Sequence, residues 1–371
     1  MSIFSRYDRQ VWILTGGSLI NSFGYAIAYP FISLYLYLYR GVPMTDVGVA
    51  LLTAAIVLNL SYSVFVVLMC CREISGGLYR NIPNVMIADV VDPGDRNGAF
   101  SMLRIGGNLG FALGPLLGGI LAMYSYAAMF GVTTLTSLVY LLISLFMLRD
   151  TKPERCSPAR LDGSGQAWKD HPFLLYCVVT ALIWLAYSQL FTTFGTYSGS
   201  YGGISQSEIG ILFSLNGFMV VFLQYPIAVY LERFKLTTAL AAGALLYAVG
   251  FGIIGFCTGF WPLLACMFTI SMGELVSSPA SMNIVARMAD PQSRGRYMGF
   301  SGVISSSGNA VGLLVGGSLM DEFKGQIAIM WLIIGALCLV CVWGFLLLGT
   351  RVAAEIDKSQ GVARVYPRLH R

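Results

Sequence analysis

Eleven apolar runs leave this chain few ways to fold. They lie near residues 11 to 39, 47 to 70, 73 to 91, 98 to 123, 126 to 148, 172 to 197, 209 to 231, 237 to 257, 260 to 288, 296 to 320 and 327 to 348. About 20 apolar residues carry a helix across a hydrocarbon core roughly 30 Å thick, and most of these runs reach that length. Hydrophobic residues make up 56% of the chain and charged residues 11%. Soluble domains carry about a quarter charged residues, so a soluble globule is excluded and an all-α polytopic membrane protein is expected. The first run is too long for a cleaved signal, lacks a small-residue cleavage site and leads straight into further helices, so it is a true first span.

The net charge of +5 acts as a topology signal and makes no case for nucleic acid. Of 23 Lys and Arg, Arg80 and Arg104 lie in the interior of runs and Arg72 at the junction of two, and only Arg40 and Lys324 fall in loops of one parity. The remaining eighteen lie at the two termini and in or bordering the other set of loops, which the positive-inside rule places in the cytoplasm. Both termini are then inside. That requires an even number of spans, and hydropathy counts eleven.

An internal repeat accounts for the odd number. Asp92-Pro93-Gly94-Asp95-Arg96 matches Asp290-Pro291-Gln292-Ser293-Arg294 at an offset of 198, and at that offset Gly110, Gly114, Gly118 and Gly119 match Gly308, Gly312, Gly316 and Gly317. Earlier in the halves, Thr45-Asp46-Val47-Gly48 matches Ser207-Glu208-Ile209-Gly210 at an offset of only 162. Two parallel repeats are a common transporter plan. The first half is therefore 36 residues short of the second in the region of helices 2 to 4. Aligning 58–70 with 245–257 gives an offset of 187, which divides the deficit into 25 residues after Val57 and 11 after Cys70. Discontinuities are expected at those two points, and 47–70 then reads as the stumps of two helices. Restoring the deficit gives twelve spans and even parity, whereas a true fusion of two helices would invert every later loop against the charge bias. The expected organisation is a bundle at 1–148, a cytoplasmic linker at 149–171, a second bundle at 172–350 and a cytoplasmic tail at 351–371.

One segment carries the most specific motif. Residues 106 to 119 read G-G-N-L-G-F-A-L-G-P-L-L-G-G, and Gly106, Gly110, Gly114 and Gly118 recur at i, i+4. On a helix they form a bare stripe roughly 18 Å long, which lets another backbone approach closely. Glycine costs about 1 kcal/mol relative to alanine within a helix, so close packing is the expected structural return. The pattern G-x3-G-P-x2-G-G, completed by Pro115 and Gly119, resembles the fifth-helix motif of the drug:proton antiporters of the major facilitator superfamily. Arg72-Glu73-Ile74-Ser75-Gly76-Gly77 is similar to the family's fourth-helix motif, and Ala88-Asp89 through Arg96 to its link into helix five. In the second half, Leu223-Gln224-Tyr225-Pro226, Gly273-Glu274, Pro279 and Arg294-Gly295-Arg296-Tyr297-Met298-Gly299 resemble the 12-helix multidrug efflux subgroup. The family's G-x3-D-R-x-G-R-[RK] loop between helices two and three is absent, and it would fall within the 25-residue deficit. The resemblance implies the major facilitator fold, two six-helix bundles related by a pseudo-two-fold axis.

Charged residues inside a membrane cost about 2.5 to 3.5 kcal/mol or more, so each needs a partner, water or a function. Glu274 is the acid nearest the middle of a run, fourteen residues into 260–288. That places it roughly 21 Å along the helix, near the bilayer midplane, where a carboxyl group can gain and lose a proton in each cycle. The bland alternative is a permanent ion pair or a hydrogen bond to a neighbouring helix. Arg72 and Glu73 are the other coupling candidates, Arg72 through the resemblance. Asp89, Arg104 and Arg287 read as structural or gate charges, with Arg104 placed to pair with Asp89.

Asn21, Gln189, Asn216 and Gln224 are polar positions within runs, suited equally to hydrogen-bonding a substrate or a neighbouring helix. Trp184, Tyr187, Phe191 and Phe194 follow at i+3, i+4 and i+3, on one helix face, and Tyr25 and Tyr29 lie near Asn21. Facing a cavity, such aromatics suit a flat or cationic lipophilic guest; facing lipid they are ordinary. The eight cysteines show no metal-ligand or extracellular pairing pattern and read as reduced, and His171 and His370 lie in polar segments. No metal, cofactor or enzymatic activity is expected. The implied function is proton-coupled efflux of lipophilic or cationic small molecules by alternating access in a prokaryotic cytoplasmic membrane, by a monomer whose partners are lipid, substrate and protons. A same-fold symporter or exporter of a metabolite or lipid, and a non-transporting assembly factor or intramembrane enzyme, are the alternatives.

Overall fold

The computed structural model describes residues 7–39, 41, 43–44, 83, 86–87, 90–91, 96–149, 168–231, 233–289 and 294–357. The expected breaks after Val57 and Cys70 lie outside the described residues. Among the described residues nine helical stretches are long and apolar enough to cross a membrane. Their outward faces carry large apolar side chains such as Leu135, Phe146, Leu339 and Trp343, as a hydrocarbon surround requires.

The chain divides into two compact units, Met1–Ala159 with Gly203–Val221, and Arg160–Gly202 with Phe222–Arg371. The first holds α1 (Arg9–Tyr39), α2 (Arg96–Tyr124), α3 (Tyr126–Phe146) and the opening turns of α6 (Gln206–Leu231). Ser125 starts α3 by accepting a hydrogen bond from the Ala128 N–H at its side chain. The glycine stripe of α2 lies on α1. A Cβ at Gly106 would sit 2.6 Å from Thr15 O, one at Gly114 2.6 Å from Ala26 Cβ, and those at Gly110 and Gly118 would meet Leu19 O and Ile27 O. Gly119 turns the other way, with Ala112 and Pro115, to face the backbone of Gly210 and Gly217 on α6. Thus α2 is bare on two faces and receives a helix backbone on each.

The second unit holds α4 (His171–Tyr187), continued through a π-helical turn at Leu190–Phe194 into α5 (Gly195–Ser200). It also holds the remainder of α6, then α7 (Leu236–Gly252), α8 (Phe260–Met288), α9 (Arg294–Glu322), α10 (Ile327–Arg351) and the short α11 (Ala354–Asp357). Asp170 caps α4, its Oδ1 accepting from Phe173 N at 3.0 Å. Glycines again set the close approaches. Gly243 and Gly273 bring α7 onto α8, and Gly252 and Gly335 bring α7 onto α10. Phe173, Tyr176, Leu240, Ile284, Phe345 and Leu348 fill the interior.

The repeat is visible in the contacts themselves. Gly110 faces Leu19, Gly114 faces Phe23 and Ala26, and Gly118 faces Ile27; in the second half Gly308 faces Ala181, Gly312 faces Leu185 and Ser188, and Gly316 faces Gln189. Each α1 residue and its α4 equivalent differ by 162, and each α2 glycine and its α9 equivalent by 198. Gly110 follows Leu19 by 91 positions and Gly308 follows Ala181 by 127, so the first half is 36 residues shorter between these two helices. The packing thus reproduces both sequence offsets.

At the opposite end of the second unit the chain folds back on itself. Asp357 is buried, its two carboxylate oxygens accepting from Thr237 N at 2.8 Å and Thr237 Oγ1 at 2.9 Å. Lys235, at the N-cap of α7, makes no side-chain capping bond, so a carboxylate 120 residues away does that work. Arg287, at the end of α8, donates from Nη1 to Ile356 O at 3.4 Å.

Candidate functional site

Within the second unit α4, α7, α8 and α10 enclose a cavity of about 310 Å³. The polar wall comes from α8, where Glu274, Ser277, Ser278 and Ser281 all line the space. Their spacing is i, i+3, i+4, i+7, so one face of an otherwise apolar helix is polar along two turns. Opposite stand Thr180, Trp184 and Tyr187 of α4 and Tyr247 of α7, with Ile183, Leu240, Met282 and Phe345 closing the apolar sides.

Glu274 is the only acid in this lining. Tyr187 donates its hydroxyl to Glu274 Oε2 at 2.9 Å. The Tyr187 ring is held by edge contacts with Trp184, Phe191 and Tyr247, at centroid distances of 5.4, 5.9 and 5.8 Å. A rotamer fixed on three sides presents its hydroxyl at low entropic cost. Gln224 Nε2 donates to Leu275 O at 3.3 Å, next along the chain from the acid. Ser277 returns its hydroxyl to Gly273 O at 2.8 Å, and Tyr176 and Ser281 share a hydrogen bond of 2.6 Å at the far end of the polar stripe. A carboxylate, six hydroxyls and four aromatic rings in one small space can hold a cation through charge and ring faces, exchange a proton at the carboxyl, or do each in turn.

Of the residues singled out from the sequence, Glu274, Trp184 and Tyr187 meet in this cavity. Phe191 supports Tyr187 without lining it, and Phe194 is fully buried in the π-helical turn, which shifts the aromatic stripe off a single face. Gln189 has no exposure and serves helix packing: Nε2 donates to Gly312 O at 2.7 Å and Leu185 O at 3.0 Å, and Gly316 lies against its amide. Asn216 is buried in the part of α6 that belongs to the first unit, where Asn21 is half-buried and Tyr25 stacks on Tyr29 at 4.6 Å. Arg104 is exposed on α2. Arg72, Glu73, Arg80 and Asp89 lie outside the described residues, so the Arg104–Asp89 pairing does too.

Sequence reasoning passed over Ser277, Ser278, Ser281, Thr180 and Tyr247. The three serines carried a signal, the helical period counted from Glu274. Tyr247 carried none, because only the approach of α7 through Gly243 brings it beside the acid. Among the described residues no cluster of three metal-ligating side chains occurs.

The comparisons with known proteins agree with this architecture. A family model described as Major Facilitator Superfamily matches residues 7–205 and 200–367. The uncharacterized MFS-type transporter YttB of Bacillus subtilis (strain 168) is 24% identical over 398 aligned positions, which take in 96% of this chain and 99% of YttB. That alignment is longer than the 371 residues here, so YttB has residues with no counterpart in this chain. Multidrug resistance protein MdtH of Aeromonas salmonicida (strain A449) is 29% identical over 333 residues, 86% of this chain and 78% of MdtH. Among solved structures, the peptide transporter POT in complex with sulfate superposes with a TM-score of 0.75 at 16% identity, over 96% of this chain and 97% of POT. A variant of the nucleoside transporter NupG gives 0.72 at 13% identity, over 92% of this chain and all of NupG. At these identities the structural likeness speaks for the fold alone.

Proposed function

The chain belongs to the major facilitator superfamily of membrane transporters, and from that premise we propose that it exchanges protons for lipophilic or cationic small molecules, exporting them by alternating access. The observation that carries this reading is the Glu274–Tyr187 pair at mid-span, in a cavity walled by aromatic rings. An ionised carboxylate attracts a cationic guest, and at about 4 Å with an effective dielectric near 20 that attraction is worth about 4 kcal/mol. Protonation removes it. One group then binds a proton or a cation but not both strongly, which is the requirement for exchange. Trp184, Tyr187 and Tyr247 supply flat apolar surface to a guest whose charge sits at Glu274. The name of MdtH, a multidrug resistance protein, is in keeping with such a cargo.

In this proposal Arg72 and Glu73 are further coupling residues, and Asn21, Tyr25, Tyr29, Asn216 and Gln224 contribute to the substrate path. The segments 1–148 and 172–350 are the moving bundles, the glycine motif provides the close, smooth helix contacts that motion needs, and both termini are cytoplasmic in a monomer of a prokaryotic membrane. The test is transport by purified protein in proteoliposomes loaded with ethidium, with a pH gradient imposed. Ethidium movement against the proton flow, abolished by a protonophore, is the expected result. Movement indifferent to the gradient, or co-directional with protons, refutes the exchange reading.

A further inference from the structure

We propose that Cys257 and Cys266 form a redox-modifiable pair, closing to an intramolecular disulfide between the α7–α8 connection and the second turn of α8. Their Sγ atoms lie 3.5 Å apart. A disulfide bond is about 2.05 Å long, so closure asks for a movement of about 1.5 Å. Cys257 follows the 3-10 turn Ile254–Phe256 and is half-buried, its thiol also donating to Ile253 O at 3.3 Å. Cys266 is fully buried on α8.

The surrounding chain holds the pair in place. Tyr197 donates its hydroxyl to Cys257 O at 3.0 Å, and Gly259, at φ 80, donates its N–H to Gly202 O at 2.7 Å. Only glycine adopts that backbone conformation without strain, so the turn that sets the two sulfurs side by side is specified in sequence. The location is chemically permissive as well. Residues 253–259 contain no Lys or Arg, whereas Arg233, Lys235 and Arg287 mark the other ends of the same helices. The positive-inside rule places the thiols at the non-cytoplasmic end, where disulfides form and persist.

With glutathione disulfide as oxidant, the reachable Cys257 thiolate attacks one of its sulfurs, the glutathione S–S bond breaks, and one glutathione thiolate leaves. Cys266 then loses its proton and attacks the Cys257 sulfur of the mixed disulfide, expelling the second glutathione thiolate. Two protein thiols are oxidised and one glutathione disulfide is reduced to two thiols. The closed ring spans residues 257 to 266 and ties together the outer ends of α7 and α8, the helices that carry Tyr247 and Glu274. The proposal does not depend on what is transported.

Counting thiols tests it. The reduced, detergent-solubilised full chain is treated with glutathione disulfide, denatured, alkylated and weighed. Of eight cysteines six are expected to be alkylated, with 257 and 266 linked in the peptide map, against eight before oxidation. Cys257→Ser should keep all seven of its thiols, and Cys266→Ser should stop at one glutathione adduct on Cys257. Full alkylation of the oxidised wild-type protein overturns the proposal. So does a Cys257→Ser variant that still loses two thiols, or a wild-type adduct at Cys257 that Cys266 never resolves.

Discussion

Glycines in this chain fall into two kinds, and alanine substitution should move stability in opposite directions at them. At Gly114 the new Cβ would lie 2.6 Å from Ala26 Cβ and 2.8 Å from Phe23 O. Carbon atoms rest at about 3.5 to 4.0 Å, so α1 must withdraw from α2 by about 1 Å, and a gap of that size forfeits up to about half of each neighbouring dispersion contact. Overpacking of this kind costs about 1 to 3 kcal/mol, while the gain in helix propensity is at most about 1 kcal/mol and smaller in lipid, where the separated helix is still helical. The net expectation is a loss of about 1 to 2 kcal/mol. At Gly16 and Gly131 nothing lies within 4 Å, so only the propensity term acts and alanine is neutral or stabilising by up to about 1 kcal/mol. Thermal unfolding in detergent, followed by intrinsic fluorescence, should show Gly114→Ala melting a few degrees lower and Gly16→Ala and Gly131→Ala no lower than wild type, at about 2 °C per kcal/mol. Leucine sharpens the contrast: Gly110→Leu and Gly114→Leu should stop transport, and Gly131→Leu should not. If all three alanine variants shift melting alike, or both leucine variants on α2 transport normally, the stripe does not pack against a helix and the reasoning fails.

Glu274→Gln keeps shape and a hydrogen bond to Tyr187 but carries neither charge nor exchangeable proton. Losing an attraction of about 4 kcal/mol should weaken binding of a lipophilic cation by up to about a thousandfold, leave binding of a neutral analogue within about threefold and abolish gradient-driven exchange. In the wild-type protein cation binding should strengthen as pH rises, since protons leave the competing site, and in the variant it should be flat; a variant that retains the wild-type pH dependence moves the coupling role elsewhere, to Glu73 first. Asp357→Ala should lower stability by about 1 to 3 kcal/mol by stranding Thr237 N, and adding Lys235→Asp, a local cap for α7, should restore part of the loss in the same melting assay. Reporter fusions at the two ends should both report cytoplasm, because the charge bias demands an even number of spans; opposite sides would favour eleven.

How far the fold and site were legible depended on how local each signal is. Glu274 was legible because an acid fourteen residues inside an apolar run is costly wherever the helix ends up. Its serines could have been found from the same helix by period alone. Gln189 looked equally suited to a substrate or a neighbour, and the choice was made by Gly312 and Gly316, which bring α9 so close that the amide meets the carbonyls of Gly312 and Leu185 and the hydroxyls of Ser188 and Thr193. Asp357 stood in a stretch read as a cytoplasmic tail, and nothing within ten residues of it announces that it caps a helix beginning at Leu236.

By itself, the sequence determined the solvent, the helices, the two-fold repeat and its 36-residue inequality, since hydropathy and spacing act along one helix and survive any packing. Only the tertiary structure decided which faces meet: that the polar face of α8 looks across a cavity at Tyr187 and Tyr247, that two cysteines nine positions apart touch, and that α2 is gripped on two sides. In lipid every helix face is already in an apolar surround, so no hydrophobic difference tells one face from another. Shape complementarity and a few buried hydrogen bonds make that choice, and both exist only between helices.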